Sequence, residues 1–238
     1  MYVIPAIDIK DGTCVRLQKG DYNTAEKVAE DPYVTAKSFK DMGAKYLHMV
    51  DLDGAKDGEM KNKELICDVA KSCGLRVDVG GGIRSMDAIE YYLTHGVNQV
   101  VLGSVAVKNP KLVTDAVRNF GDKIIVGIDA VKGYVKTEGW IDGSDIYYTE
   151  LAKRMEDVGV EKFIFTDIDR DGMQTGPNLV QLEALSNSVS GDIIASGGIS
   201  DITDIRDLMS LSIFGAICGK SIYAGSLDLK KAIKLTRG

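Results

Sequence analysis

Two aspartates in matching sequence surroundings, Asp8 and Asp129, are the residues best suited to acid–base chemistry. Each follows a short apolar run, in the segments AIDIKDG and GIDAVKG. Two carboxylates on opposite faces of a substrate can act as general acid and general base when their surroundings separate their pKa values. Alternatively, each aspartate caps the next turn or pairs with Lys10 or Lys132. The symmetric pair favours catalysis, because stability alone does not require the same residue at both positions.

Glycine clusters form a second matched set. Glycine lets backbone N–H groups approach an anion, and the N-terminus of a following helix adds a favourable dipole. A duplicated cluster therefore predicts two phosphate sites at opposite ends of one elongated substrate, with Arg84 and Lys220 adding positive charge. Tight turns explain one such cluster equally well, but two matched clusters less well. The residues concerned are Gly81, Gly82, Gly103 and Ser104 in one cluster, and Gly197, Gly198, Gly219 and Lys220 in the other.

These motifs recur in the same order along the chain. Asp8 and Asp129 are 121 positions apart (129 minus 8), whereas the later matches are 116 apart: Asp51 with Asp167, Gly81 with Gly197, and Gly103 with Gly219. Such agreement predicts a duplicated half, with half-barrels at about residues 1–121 and 122–238. The first half has five extra residues, which we place in the loop at residues 17–22, a candidate lid.

The elements that must position these residues alternate between strand and helix. Eight short aliphatic runs are typical of strands buried on both faces. Amphipathic stretches at Pro32–Met42, Met86–His95 and Ser144–Val158 predict helices, with Asp87 and Ser144 at helix starts. Alternation predicts a parallel sheet, and a two-fold repeat closes it into a single (β/α)₈ TIM barrel rather than an open sheet. The strands are expected at Tyr2–Asp8, Tyr46–Asp51, Arg76–Gly80, Gln99–Gly103, Lys123–Asp129, Lys162–Asp167, Asp192–Ser196 and Gly215–Gly219.

Further polar residues lie at the ends of these strands, where barrel enzymes carry their active sites. His48 on the second strand either orients substrate or is a satisfied core histidine. Trp140 follows the fifth strand and suits stacking on a planar heteroaromatic group, with plain packing as the alternative. Thr166, Asp169 and Asp171 lie at the end of the sixth strand and suit hydrogen bonds to the reacting centre, although residues 169–172 also fit a solvated turn.

Composition excludes several functional classes. The net charge is −6, with no block of Lys or Arg, so we expect neither nucleic acid nor an anionic membrane as a partner. No apolar run approaches the roughly 20 residues of a membrane span, and the charged N-terminus is unlike a signal peptide, which predicts a cytoplasmic protein. Two histidines and four scattered cysteines (Cys14, Cys67, Cys73 and Cys218) give no metal-site spacing, and G-x-G-x-x-G is missing. We expect free, mostly buried thiols and neither metal nor cofactor.

Together, these segments resemble the phosphoribosylformimino-aminoimidazole-carboxamide ribotide isomerases of histidine biosynthesis. The resemblance rests on IPAIDIKDGTCVRL, LHMVDLDGAKDG, VGGGIR, VLGS, GIDAVKG, TDIDRDGMQTGPN, ASGGIS and CGKSIY, which run from the first strand to the last. It implies a metal- and cofactor-independent Amadori rearrangement, aldose to ketose, of a ribotide carrying two phosphates, by a chain that we expect to be a monomer.

The resemblance also implies roles for individual residues. Asp129 would be the general acid that opens the aminoaldose ring, and Asp8 the base that removes the C2′ proton. Thr166 and Asp171 match supporting polar positions, and Trp140 a substrate-covering aromatic residue. Lys19 and Gly176 complete the candidate substrate-binding set, which also contains His48, Arg84 and the two glycine clusters.

Three alternatives remain open at this point. The cyclase subunit of imidazole glycerol phosphate synthase shares the duplicated halves and both aspartates, but it would be a lyase with a glutaminase partner. AIDIKDG, LHMVDLDGA and Trp140 favour the isomerase, whereas TDIDRDG is close to both. A bifunctional isomerase that also acts on a related anthranilate is a second alternative. A non-catalytic barrel that binds sugar phosphates is the third.

Overall fold

Strands that consist of unbroken aliphatic runs need cover on both faces, and here they obtain it inside a layer of helices. The computed structural model describes residues 1–140 and 142–236; the predicted end of the second half, at residue 238, lies outside them. In chain order the strands are β1 Tyr2–Lys10, β2 Thr13–Gln18, β3 Asp21–Ala29, β4 Tyr46–Asp51, β5 Arg76–Gly80, β6 Gln99–Leu102, β7 Ile124–Val131, β8 Tyr134–Thr137, β9 Asp142–Tyr147, β10 Lys162–Asp167, β11 Asp192–Ser196 and β12 Gly215–Cys218.

Helices follow the barrel strands and cover their outer faces. They are α1 Pro32–Asp41, α2 Leu52–Asp57, α3 Lys63–Cys73, α4 Met86–Thr94, α5 Val105–Lys108, α6 Pro110–Phe120, α7 Tyr148–Asp157, α8 Leu179–Ser186, α9 Ile202–Met209, α10 Lys220–Tyr223 and α11 Leu229–Thr236, with a 3₁₀ turn at Gly121–Lys123. Side chains cap several of them: Asp31 precedes α1 and Ser85 precedes α4. Asp87, predicted at a helix start, lies in the first turn of α4, one position after its first residue.

Eight of the strands close into a parallel barrel in the order β1, β4, β5, β6, β7, β10, β11, β12 and back to β1. The predicted (β/α)₈ fold is therefore confirmed, and β4, β5, β10 and β11 have the predicted bounds. One apolar layer fills the inside of the barrel, and a larger one lies between strands and helices. The inner layer consists of Ile4, Ala6, Val101, Ile125, Ile164, Ile194 and Ile217.

Antiparallel hairpins extend the first strand of each half. β2 and β3 continue from β1, and β8 and β9 continue from β7. The connecting turns, Asp11-Gly12 and Lys132-Gly133, have positive φ at both residues, as a two-residue type I′ hairpin turn requires. The prediction of a helix start at Ser144 was wrong: Ser144 lies in β9, whose pairing with β8 satisfies the backbone there, and α7 begins at Tyr148.

The hairpins also place the five extra residues of the first half. Arg16 pairs with Glu26 across β2 and β3, and Thr137, 121 positions after Arg16, pairs with Asp142 across β8 and β9. Nine residues separate the first two partners and four separate the second two, so the five extra residues lie between Arg16 and Glu26. The predicted segment, residues 17–22, lies within this stretch at the tip of the first hairpin.

Two further expectations concern the whole chain. All four cysteines are free and buried, which confirms the prediction for the thiols. Among residues 1–140 and 142–236, no helix is long and apolar enough to cross a membrane.

Candidate active site

The carboxyl ends of the barrel strands surround one cavity, and most of the candidate site residues line it. Because parallel strands end at the same rim, residues far apart in sequence meet there. The lining includes Asp8, His48, Gly81, Gly82, Arg84, Gly103, Ser104, Asp129, Trp140, Thr166, Asp171, Gly197, Gly198, Gly219 and Lys220.

Two candidates do not line the cavity. Lys19 lies in the β2–β3 turn, where its backbone N–H donates to the carbonyl of Asp171 at 3.2 Å. Gly176 donates its backbone N–H to the carbonyl of Gly198 at 2.9 Å. Both residues therefore contact backbone that supports cavity-lining residues, without lining the cavity themselves.

Asp8 forms an ion pair with Arg16, across the hairpin that extends its own strand. One guanidinium nitrogen of Arg16, Nη1, lies 2.5 Å from Oδ2 of Asp8, and each side chain is only 14% exposed. A second, Nη2, donates to the carbonyl of Ala6 at 3.2 Å, and Nε is buried without a partner among the described residues. The pairing with Lys10 that we considered does not occur, because Lys10 contacts Asp11 instead. Asp8 thus lies beside a fixed cation.

Asp129 has no such cation. It forms a hydrogen bond with Trp140, whose Nε1 donates to Oδ2 of Asp129 at 2.8 Å. Burial in the barrel wall raises the pKa of Asp129 above its usual range, and hydrogen bonds from Trp140 and Thr166 and the charge of His48 offset only part of that effect. The two aspartates therefore differ in electrostatics despite their equivalent positions: Asp8 faces a cation, and Asp129 is stabilised in its protonated form.

Thr166 and Asp171 complete the polar surroundings of this pair. Thr166 lies opposite Asp129 in the β7–β10 pairing and is buried. Burial, together with the charges of Asp8 and Asp129, raises the pKa of Asp171 to about 6 against the opposing charges of Arg16 and Lys220. Asp171 can therefore exchange a proton near neutral pH, next to both aspartates.

The sequence left two roles open for His48, orienting substrate or being a satisfied core histidine, and its contacts fit both. It lines the cavity, yet its Nδ1 forms a short hydrogen bond and ion pair with Asp78, directly opposite on β5. Burial lowers the pKa of His48, but the nearby charge and hydrogen bond of Asp78 outweigh burial, so that the net shift is upward. The sequence analysis did not single out Asp78.

Backbone geometry requires glycine in both matched pairs. All four residues have positive φ, between +73° and +102°. A Cβ on Gly82 would lie 2.3 Å from the carbonyl oxygen of Gly54, and one on Gly198 would lie 2.2 Å from that of Gly176. The turn requirement is thus sufficient to explain these glycines. A phosphate role rests on their position in the cavity lining and on Gly103.

Gly103 differs because the chain itself does not require glycine there. Its φ lies outside the positive range, and a Cβ would have nothing within 4 Å. Since Gly103 lines the cavity, the open space beside it is space for a ligand.

Matching carboxamide–carboxylate contacts support the two glycine loops. Asn62 donates to Asp51 through Nδ2 at 2.7 Å, and Asn178 donates to Asp167 at the same distance. The two pairs occupy equivalent positions, since Asp167 and Asn178 each lie 116 residues after Asp51 and Asn62. Gly81 packs against the backbone of Asp51. These buried aspartates are structural, unlike Asp8 and Asp129.

Positive charge lies near both loops. Arg84 is paired with Glu138 at 2.9 Å, and Lys108 contacts the other oxygen of Glu138 at 2.7 Å. At the second loop, Lys220 lines the cavity, and the Arg16 guanidinium lies against Gly219. An anionic substrate would therefore meet cations at both ends of the cavity, with Glu138 competing at one of them.

Sequence reasoning missed Arg16, although a signal was present. Asp11-Gly12 between two apolar runs is the strongest short-range sign of a hairpin. A hairpin would have placed Arg16 beside Asp8, because Asp8 pairs with Val15 in the observed register. We had treated this region as the approach to a loop.

Acidic, cysteine and histidine side chains form no metal-binding group of three or more within residues 1–140 and 142–236.

Comparison with known proteins places this site in a family. The model of the family described as "Histidine biosynthesis protein" matches residues 2–228. The chain belongs to this family. Among similar curated members, one from Clostridium novyi (strain NT) is 48% identical over 236 residues, 99% of each chain. Another, from Clostridium beijerinckii (strain ATCC 51743 / NCIMB 8052), is 49% identical over 237 residues, 100% of this chain and 99% of the relative. A third, from Clostridium kluyveri (strain ATCC 8527 / DSM 555 / NBRC 12016 / NCIMB 10680 / K1), is 50% identical over 235 residues, 99% of each.

All three histidine biosynthesis family members carry the same name, 1-(5-phosphoribosyl)-5-((5-phosphoribosylamino)methylideneamino)imidazole-4-carboxamide isomerase. The resemblance stated from the sequence motifs is therefore confirmed at the level of the family.

Proposed function

We propose that this chain catalyses the isomerisation named for its relatives, as an Amadori rearrangement of an aminoaldose to an aminoketose. The observation that carries the proposal is the contrast between Asp8 and Asp129: equivalent aspartates on opposite sides of one cavity, one in an ion pair with Arg16 and the other buried, hydrogen-bonded to Trp140 and in no salt bridge among the described residues. Aldose–ketose isomerisation needs one group that gives a proton and another that takes one.

The contrast also assigns the two roles. Asp8 forms a largely buried ion pair with Arg16, and a general base acts as a carboxylate. Burial favours the protonated form of Asp129, the form that a general acid needs. The position equivalent to Arg16 in the second half, 121 residues later, is Thr137, which carries no charge. The surroundings thus support the assignment independently of the resemblance.

In the proposed mechanism, Asp129 donates its proton to the ring oxygen of the aminoaldose, and the ring opens to a Schiff base. Asp8 then removes the C2′ proton, and the resulting enolamine becomes the ketose. Thr166 hydrogen-bonds Asp129, and the charges of Asp8 and Asp129 both raise the pKa of Asp171. Trp140 covers the reacting carbons.

Two phosphate sites hold the substrate by its ends in this proposal. One comprises Gly81, Gly82, Arg84, Gly103 and Ser104, and the other comprises Gly197, Gly198, Gly219 and Lys220. Fixing both ends places the reacting carbons between Asp8 and Asp129, and such positioning is itself a large part of catalysis.

A direct assay tests this function. The purified chain is incubated with the formimino ribotide in the absence of metal, ammonia and any partner protein, and the ketose product is measured. We expect ketose to form. Absence of ketose, together with ammonia-dependent cyclisation of added ketose, would instead identify a cyclase subunit.

Replacing Trp140 by phenylalanine is expected to extend activity to higher pH. Trp140 Nε1 donates to the Asp129 carboxylate and so lowers the pKa of Asp129, partly offsetting the effect of burial. Removing the donor raises that pKa, and the protonated acid then persists to higher pH. The measurement is kcat against pH for Trp140→Phe and the unchanged chain; a basic limb that stays in place or moves to lower pH contradicts the proposed acid.

Replacing Gly103 by alanine is expected to raise KM about tenfold and to leave thermal stability unchanged. The Cβ enters space that is empty in the protein, so only a ligand would meet it; one such steric conflict costs about 1–3 kcal/mol of binding. Gly82→Ala is the matched control, because its Cβ meets backbone and should lower the melting temperature. An unchanged KM in Gly103→Ala would remove this glycine from the phosphate site.

We further infer that the chain works in the cytoplasm as a monomer on a small bisphosphorylated ribotide, with neither nucleic acid nor membrane as partner and without a metal or cofactor. The four free thiols support a reducing compartment, and the net charge of −6 is unfavourable for polyanionic partners.

A further inference from the structure

The pair formed by His48 and Asp78 breaks the two-fold repeat of the barrel. The positions 116 residues later are Ile164 and Ile194. Those isoleucines lie opposite each other on β10 and β11, as His48 and Asp78 do on β4 and β5. Ile164 also lines the cavity, as His48 does. The same place in the fold therefore holds an ion pair in one half and an apolar pair in the other.

Stability does not explain this ion pair. The His48 and Asp78 side chains are only 13% and 5% exposed, so both are largely removed from water. Removing two charges from water is costly, and replacement of a buried ion pair by well-packed apolar residues is often neutral or stabilising. The second half shows that such an apolar pair fits this geometry.

The contact between His48 and Asp78 fixes the orientation of the imidazole ring. Nδ1 of His48 forms a hydrogen bond with Asp78, so Nε2 is the ring nitrogen available to the cavity. Among residues 1–140 and 142–236, no hydrogen bond to Nε2 is formed, and His48 is the hydrogen-bonding and ionic partner of the Asp78 side chain. The charged groups facing His48 are Asp78 on β5, Asp8 on β1, Arg16 on β2 and Asp129 on β7.

We propose that Asp78 is a positioning residue that holds His48 as a cation and directs its Nε2–H to the substrate between the two phosphate sites. Asp78 itself does not touch the substrate. A carboxylate that accepts from one ring nitrogen fixes both the tautomer and the orientation of an imidazole. The inference deepens the proposed function, since it concerns the same cavity and reaction.

The double variant His48→Ile/Asp78→Ile copies the second half and separates stability from catalysis. We expect it to melt at the same temperature as the unchanged chain or higher, with kcat/KM lower by at least about tenfold. A melting temperature that falls together with kcat/KM would show a structural pair and overturn the proposal.

Asp78→Asn separates charge from orientation, because the carboxamide oxygen can still accept from Nδ1. We expect kcat/KM to fall about tenfold to a hundredfold, while Asp78→Glu, which keeps the charge, recovers part of the loss. The state of His48 is measured directly by NMR titration of its ring nitrogens. Only two histidines are present, so a His95→Gln background leaves one imidazole signal. His95 ends α4 and stacks on Tyr91, away from the cavity.

In this background we expect the pKa of His48 to lie above its ordinary value of 6.5 and to fall in Asp78→Asn, because the largest charge that opposes burial is then removed. An unchanged titration in Asp78→Asn, or an unchanged kcat/KM, overturns the proposal. The titration does not depend on turnover. If the unchanged chain formed no ketose, the proposed function would fail, and the titration would still decide whether Asp78 holds His48 as a cation.

Discussion

Asp129→Asn is expected to lower kcat by about 10²–10⁴-fold, the range that a positioned proton donor contributes. Asparagine keeps the size of the side chain and its acceptor for Trp140, but it has no carboxylic proton to give. Asp8→Asn should lower kcat over a similar range because the base is lost. Both effects are measured as kcat for ketose formation at saturating substrate.

The two variants should differ in stability, which provides the control. The folded-state pKa of Asp129 is raised, so its ionisation destabilises the folded chain as pH rises through that pKa. Asp129→Asn removes this effect at neutral pH and should keep or raise the free energy of unfolding. Asp8→Asn leaves Arg16 without its ionic partner and should lower it. Equal destabilisation by both variants would contradict the electrostatic contrast at the centre of the proposed mechanism.

Arg16→Met is expected to lower the free energy of unfolding by about 3 kcal/mol, the lower end of the cost of breaking a buried pair. Both partners are 14% exposed, so solvent screens their interaction only weakly. The same variant should reduce kcat by at least about tenfold, because Asp8 loses the ionic partner that holds it in position in the cavity. Chemical denaturation and steady-state kinetics measure the two effects.

The double variant Asp8→Asn/Arg16→Met completes this cycle. We expect it to be more stable than Arg16→Met alone, because no charge is then left unpaired, and to remain as slow as Asp8→Asn. Additive losses of stability would show that Asp8 and Arg16 do not act as a pair.

The barrel was predictable because its signals are local and repeated. Strands buried on both faces are aliphatic throughout, so β4, β5, β10 and β11 could be bounded from sequence alone. The repeat then supplied closure and brought Asp8 and Asp129 to one rim. The positions of Asp8 and Asp129 were therefore predictable. The difference in their electrostatic surroundings was not, since it depends on which side chains each aspartate contacts.

Contacts across strands were the part that sequence did not provide. Asp78 is a single acidic residue within VDVGGG, and only the register of β4 against β5 shows that it faces His48. Arg16 was missed because no hairpin was predicted after the first strand, although Asp11-Gly12 marks the turn. The helix start at Ser144 was wrong for a similar reason: the pairing of β9 with β8 overrides the helical pattern.

Departures from the repeat carry most of the functional information. Asp51 and Asp167, with Asn62 and Asn178, are the same in both halves and hold the glycine loops. Arg16 faces Asp8, but the second half has Thr137 at the equivalent position. The positions that remain symmetric therefore build the barrel and its two glycine loops, and those that differ give Asp8 and Asp129 different surroundings.

An isotope effect with substrate deuterated at C2′ tests that assignment most directly. If Asp8 removes the C2′ proton, cleavage of that bond limits the residual turnover of Asp8→Asn, and deuterium slows it by a primary isotope effect. If Asp129 opens the ring, ring opening limits Asp129→Asn, and deuterium leaves its turnover unchanged. The opposite pattern, with the isotope effect in Asp129→Asn and none in Asp8→Asn, would contradict the account.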